Sequence, residues 1–134
     1  YGYSITALEL VCTGLENTVG VYRDYSKAEQ DQARRVMREL GVGHLADRSI
    51  RLLSTGQLRR LFLARALMGE PDILLLDEPC SALDEDSRRQ YLDLLDQLAA
   101  RGISLVFVSH FEGDAPSCIN RRARMHQGCL EILA

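Results

Sequence analysis

The segment Ile73-Leu74-Leu75-Leu76-Asp77-Glu78-Pro79 constrains the fold of this chain more than any other stretch. An apolar run ending in two carboxylic acids and a proline, with Pro71-Asp72 ahead of it, predicts a fully buried parallel strand that delivers its charges at its carboxyl end. Open parallel sheets bind ligands at that edge, so two carboxylates emerging there are placed for chemistry. The strand alone fits a buried strand entering an acidic turn equally well. Downstream, Asp84 can cap a helix on which Tyr91, Leu94, Leu95 and Leu98 fall at helical spacing, closed by Arg101-Gly102. A second apolar run, Ile103 to Ser109, predicts another buried strand ending at His110. Strand, helix and strand within about thirty-five residues make a βαβ unit. Asp77, Glu78 and His110 are therefore expected at one edge of one sheet, and the chain belongs to the α/β class.

The half before this unit reads as helical. Ser4 or Thr6 can cap a first helix carrying Ile5, Leu8, Leu10 and Val11 and ending near Gly14. Ser26-Lys27-Ala28-Glu29 has the pattern of a capping box, and Ala33, Val36, Met37 and Leu40 follow as one apolar stripe that Gly41 ends. Arg34, Arg35 and Arg38 read as a solvated face, and His44 as a residue of a linking turn. Ser54-Thr55-Gly56-Gln57 repeats the capping pattern and opens a helix with Leu58, Leu61, Phe62 and Arg65 on one side. A helix start offers unpaired N–H groups and the positive end of the dipole, which suits a phosphate, and Gly56 allows a ligand close approach. A plain helix cap accounts for the same residues. Beyond His110, Asp114 to Ser117 predicts a short helical turn, and Ile119 to His126 with Cys129 to Leu133 a hairpin around Gln127-Gly128.

Composition excludes several classes. Lys plus Arg number 16 against 19 Asp plus Glu, a formal charge of −3, which argues against a nucleic-acid footprint. No apolar run approaches the length of a membrane span. Cys12, Cys80, Cys118 and Cys129 are widely separated, so free thiols in the cytosol are expected rather than a metal site or disulfide framework. Tyr1-Gly2-Tyr3 leads straight into structured sequence without a methionine, as expected for a piece of a longer polypeptide.

Taken in order, Leu53 to Gln57, Ile73 to Glu78, Ser81-Ala82-Leu83-Asp84 and Ser109-His110 resemble the signature loop, Walker B strand, D-loop and switch histidine of ABC-type ATPases. The resemblance runs from about Leu8 to the end of the chain. It implies a partial P-loop NTPase domain: a helical signature subdomain over residues 1–70, then the C-terminal part of a RecA-like core over residues 71–134 with a terminal β-hairpin. It implies ATP and Mg²⁺ as cofactors, with Asp77 in the Mg²⁺ shell, Glu78 polarising the attacking water and His110 contacting the γ-phosphate. Ser54, Thr55, Gly56 and Gln57 would embrace the γ-phosphate of an ATP held by a second cassette, and Asp84 would link the two sites. Implied partners are that second cassette, as a homodimer or a tandem domain, and a membrane permease domain. The implied location is the cytoplasm, peripheral at the inner face of the membrane.

Two departures stand out. Thr55 occupies a place where the family usually has Gly, and no G-x-x-x-x-G-K-[ST] occurs in the sequence. The phosphate cradle and the glutamine loop are expected upstream of Tyr1, so this chain alone is expected to be inactive. Phe107 to His110 with Asp114 to Ile119, the first helix and Gly20-Val21-Tyr22 resemble soluble cassette proteins associated with molybdate transport. The expected function is therefore that of an ATPase fragment that drives or regulates transport. A soluble tandem-cassette ATPase in regulation or photorepair, or a non-catalytic interaction module, remains open at this point.

Overall fold

The computed structural model describes residues 4–18, 23–111 and 113–134; Tyr1-Gly2-Tyr3 and Gly20-Val21-Tyr22 lie outside the described residues. Helix α1 spans Ala7–Cys12. Thr6 rather than Ser4 caps it: its hydroxyl accepts the Glu9 N–H at 3.2 Å, and the Glu9 carboxylate accepts the Thr6 N–H at 2.7 Å. Ile5, expected on that helix, lies ahead of it, where its carbonyl accepts the Ile50 N–H at 3.1 Å. A 3₁₀ turn, Thr13–Leu15, follows. Helix α2, Lys27–Glu39, begins at the expected capping box of Ser26 and Glu29. Arg23 reinforces that start, pairing with Glu29 at 2.8 Å and lying 4.5 Å from the centre of the Tyr25 ring. Gly41, at φ +72°, takes the left-handed conformation that ends a helix. Two 3₁₀ turns, Gly43–Leu45 and Ile50–Leu52, lead to helix α3, Thr55–Leu67.

These helices share one apolar core, in which Val11, Ala33, Met37, Leu45 and Leu61 are buried. The buried side of α3 is Leu61, Leu63 and Ala64, with Met68 just past its end. Phe62, which spacing sets on one side with Leu58, Leu61 and Arg65, is half exposed while Leu61 is buried. The cause is a close seam: a Cβ on Gly14 would stand 2.0 Å from the Arg65 carbonyl oxygen. The backbone after α1 thus meets α3 directly, and that approach decides which face of α3 is covered.

Strand β1, Ile73–Asp77, pairs in parallel with β2, Ser104–Val108, placing Asp77 opposite Val108. Helix α4, Glu85–Ala100, connects them as the βαβ reading required, and Tyr91, Leu95 and Leu98 are its buried residues. Contrary to the expectation from their apolar runs, the strands are not fully buried. Leu74, Leu76, Leu105 and Phe107 join the core, whereas Ile73, Leu75, Val106 and Val108 are exposed. Alternate residues of a strand point to opposite faces, and the described elements cover one face of this pair.

After β2 the chain makes turns rather than the expected helical one. The Asp114 N–H meets the Phe111 carbonyl at 3.1 Å, the Ile119 N–H meets that of Pro116 at 3.3 Å, and the Asp96 carboxylate accepts the N–H of Cys118 at 2.8 Å. The predicted hairpin is present as β3, Arg122–His126, and β4, Cys129–Leu133, antiparallel with His126 opposite Cys129. It starts later than Ile119. Gln127 at φ 47° and Gly128 at φ 78° supply the two positive φ values of a type I′ turn.

Candidate active site and signature cap

Glu78 and His110 meet, 32 positions apart in the chain, because β1 and β2 are parallel and in register. The ladder continues one step past Asp77, with the Glu78 N–H on the Val108 carbonyl at 2.8 Å. His110 leaves β2 two residues later, and its Nε2 lies 3.0 Å from Glu78 Oε1. That contact lacks the alignment of a hydrogen bond: Glu78 Oε1 is buried and has no hydrogen-bond partner among the described residues. The imidazole itself is 86 % exposed, so it is free to reach a ligand above the strand ends. Glu78 also has φ 49°, an uncommon conformation for a residue with a side chain. Such backbone strain of order 1–3 kcal/mol clusters at functional sites. Ala82, at φ 62°, bends the segment that follows.

Asp77 stands beside this pair but on the other face, sharing the exposed side of β1 with Ile73 and Leu75. Its carboxylate has no ion pair or hydrogen bond among the described residues and is available to a ligand. Mg²⁺ commonly takes one or two carboxylates plus waters and substrate phosphates rather than an all-protein cage. A single free acid therefore fits part of such a shell, and the described residues hold no cluster of three or more metal-ligating side chains. Below Glu78 an open cavity of about 560 Å³ is lined by Ser81, Leu83, Arg88, Phe107, Phe111 and Asp114.

The start of α3 is a second, separate feature. Ser54 Oγ accepts the Gln57 N–H at 3.2 Å while Gln57 Oε1 accepts the Ser54 N–H at 3.0 Å. This box consumes two of the terminal donors and leaves those of Thr55 and Gly56 without a partner among the described residues. Ser54 and Thr55 are exposed and Gly56 is partly so, and a helix start with unused donors suits an anion. The sequence reading missed one role of Gly56. A Cβ there would lie 3.0 Å from Ser87 Oγ and 3.2 Å from Ser87 Cβ, so this glycine also lets α3 pack against the first turn of α4.

Asp84 is the cap of α4, its Oδ1 accepting the Ser87 N–H at 2.8 Å. That backbone hydrogen bond, helped by the Ser87 hydroxyl, holds its carboxyl below the ordinary range. Arg59 of α3 donates to Ser81 Oγ at 3.2 Å, tying α3 to the segment after Glu78. No sequence spacing points to that contact, because it joins two elements that meet only through tertiary packing.

Comparison with known proteins follows the same lines. The family model for ABC transporters matches residues 5–81, more than half of the chain. A probable metal transport system ATP-binding protein of Thermotoga maritima is 35 % identical over 115 residues, covering 81 % of this chain and 48 % of its own. The ABC transporter ATP-binding protein ModF of Escherichia coli is 35 % identical over 124 residues, covering 91 % of this chain and 25 % of its own. The chain thus spans about half or less of the length of these curated relatives. Among solved structures, a metal-chelate type ABC transporter in an inward-facing conformation superposes with TM-score 0.87 at 26 % identity, over 98 % of this chain and 53 % of that one. The ATP-binding cassette MJ1267 in its ADP conformation gives TM-score 0.83 over 98 % of this chain and 54 % of that one; at 23 % identity it bears on the fold alone. Motif order, parallel register and these matches agree: the chain belongs to the ABC transporter family of ATP-binding proteins.

Proposed function

We propose that this chain carries the signature cap and the water-activating carboxylate of an ATPase that drives transport across a membrane. Residues 1–70 form the signature subdomain and residues 71–134 the C-terminal part of the ATPase core. The observation that carries this reading is the meeting of Glu78 Oε1 and His110 Nε2 at 3.0 Å across the ends of two parallel strands. A carboxylate oxygen held there without a hydrogen-bond partner among the described residues is an acceptor for a water proton. Glu78 polarises the attacking water, and His110, on the same sheet edge, contacts the terminal phosphate. Mg²⁺, with Asp77 in its shell, would neutralise charge on the phosphates. The free N–H groups of Thr55 and Gly56, with Ser54 and Gln57 fixing the helix start, aim at the terminal phosphate of an ATP held by a second cassette. Asp84 orders the turn between the two sites. Phosphoryl transfer needs such positioning and charge neutralisation more than covalent chemistry.

The sequence has no G-x-x-x-x-G-K-[ST] cradle, so the isolated chain neither holds ATP tightly nor turns it over. In the full-length protein, Glu78→Gln should lower ATP turnover by roughly 10²-fold or more, the scale of a lost general base, and accumulate an ATP-bound cassette pair. Unchanged turnover would overturn the assignment, and Glu78-dependent turnover by the purified chain would overturn its inactivity.

The transport role rests on relatives named for transport, whose names favour a metal ion or chelate as cargo, while molybdate follows from the resemblance noted in the sequence and the likeness to ModF. A permease at the inner membrane face and a second cassette complete the assembly. No described helix is long and apolar enough to cross a membrane, so the spanning part lies elsewhere in this reading. The tandem-cassette alternative rests on the likeness to ModF, 35 % identical over 124 residues. The full-length gene separates the two, since a tandem protein carries a second signature and Walker B pair in the same chain.

A further inference from the structure

His110 belongs to a loop with two anchors. One is the end of the ladder, where the Val108 carbonyl accepts the Glu78 N–H. The other lies beyond the histidine. Ser109 Oγ accepts the Phe111 N–H at 3.1 Å, the Phe111 carbonyl accepts the Asp114 N–H at 3.1 Å, and the Asp114 carboxylate receives Arg88 Nη1 at 2.8 Å. Arg88 sits in the first turns of α4, four residues past the Asp84 cap, and its other nitrogens grip Glu85. Arg88 and Asp114 are both about three-quarters buried, at 24 % and 23 % side-chain exposure, unlike the neighbouring Arg89–Asp86 pair, at 67 % and 79 %. Both also line the cavity beneath Glu78.

We propose that Arg88 is a positioning residue for His110, acting through Asp114: the ion pair fixes the far end of the histidine loop to the helix that the Asp84 turn begins. The proposal rests on the reading of Glu78 and His110 as the reacting pair. A guanidinium is suited to the task because its fork fixes direction as well as charge, holding Asp114 with one nitrogen and Glu85 with two others. Displacing α4 or the Asp84 turn would shift Asp114, and with it the angle at which His110 meets Glu78. The pair thereby links the D-loop-like segment to the histidine within one chain.

The test uses the full-length protein and steady-state ATP hydrolysis. Arg88→Ala and Asp114→Asn should each lower kcat by tenfold or more with KM for ATP within about twofold, because in this reading the pair acts on His110 and does not itself contact nucleotide. Arg88→Lys, which keeps the charge but loses the fork, should recover only part of the rate. The double variant should fall no further than either single one, as residues acting as a unit do. Arg89→Ala, the exposed neighbour, should match the parent, and thermal melting of each variant separates lost rate from lost folding. A parent-like kcat in Arg88→Ala, or loss in strict proportion to folded protein, overturns the proposal. Glu78→Gln measured alongside keeps the two readings distinct: full activity there would sink the site itself, whereas an inactive Glu78→Gln beside an active Arg88→Ala sinks only the positioning role.

Discussion

Replacing Gly14 by alanine should destabilise the helical half of the chain by about 3 kcal/mol, against the usual sign for this substitution. Gly→Ala at an unstrained position stabilises by about 0.4–1 kcal/mol, because it restricts the unfolded chain. At Gly14 the new Cβ would sit 2.0 Å from the Arg65 carbonyl oxygen, 2.9 Å from its carbon and 3.1 Å from Met68 Cβ. Ordinary contact begins near 3.4 Å, so the 3₁₀ turn and α3 must part by about 1.4 Å. Backbone on one side cannot rotate out of the way. A gap of that size forfeits much of the dispersion contact along the seam, and overpacking of this kind costs about 1–3 kcal/mol. It also stretches the bond from Arg65 Nε to Thr13 Oγ1, now 2.8 Å, worth about 1 kcal/mol. Native-state hydrogen exchange of the α1 and α3 amides in the full-length protein reads the loss directly. Gly69→Ala is the control at the same seam, since its Cβ would meet nothing nearer than 3.9 Å and should change stability by less than about 0.5 kcal/mol. A Gly14→Ala protein as protected as the parent would refute the close seam, and with it the account of why Phe62 is exposed.

The orientation of α3 can be checked separately. Leu61→Ala, at a fully buried site, should cost about 3 kcal/mol, whereas Phe62→Ala should cost less than about 1 kcal/mol despite removing a larger side chain. Equal losses on melting would mean the helix presents a different face. At the start of α2, the hydrogen bond from Arg23, with further help from the Ser26 N–H, lowers the Glu29 carboxyl from its ordinary 4.5 to about 2. A depressed carboxyl contributes stability that is complete above its unfolded value and is lost as pH falls through the folded one. Glu29→Gln should therefore flatten the stability–pH slope between pH 4.5 and 2, and an unchanged slope there would contradict the pairing.

The local pieces were legible from residue order. Ser26 with Glu29 and Ser54 with Gln57 close their boxes within four residues, so hydroxyl and acceptor meet whatever the rest of the chain does. Gln127-Gly128 sets its turn through two positive φ values, again a local matter. The βαβ unit was legible from the alternation of apolar runs, and it was enough to put Glu78 and His110 at one edge. Tertiary structure alone decided which faces are covered. Leu75 and Val106 are as apolar as Leu74 and Leu105, yet only the latter pair reach the core, because burial depends on what lies opposite. Phe62 and Leu61 differ in burial for the same reason: helical spacing defines a stripe, but the Gly14–Arg65 approach chooses its rotation. Gly56 against Ser87, Arg59 on Ser81 and Arg88 on Asp114 likewise join side chains distant in sequence. Contacts of that kind arise where rigid elements pack, and no spacing within a single element encodes them.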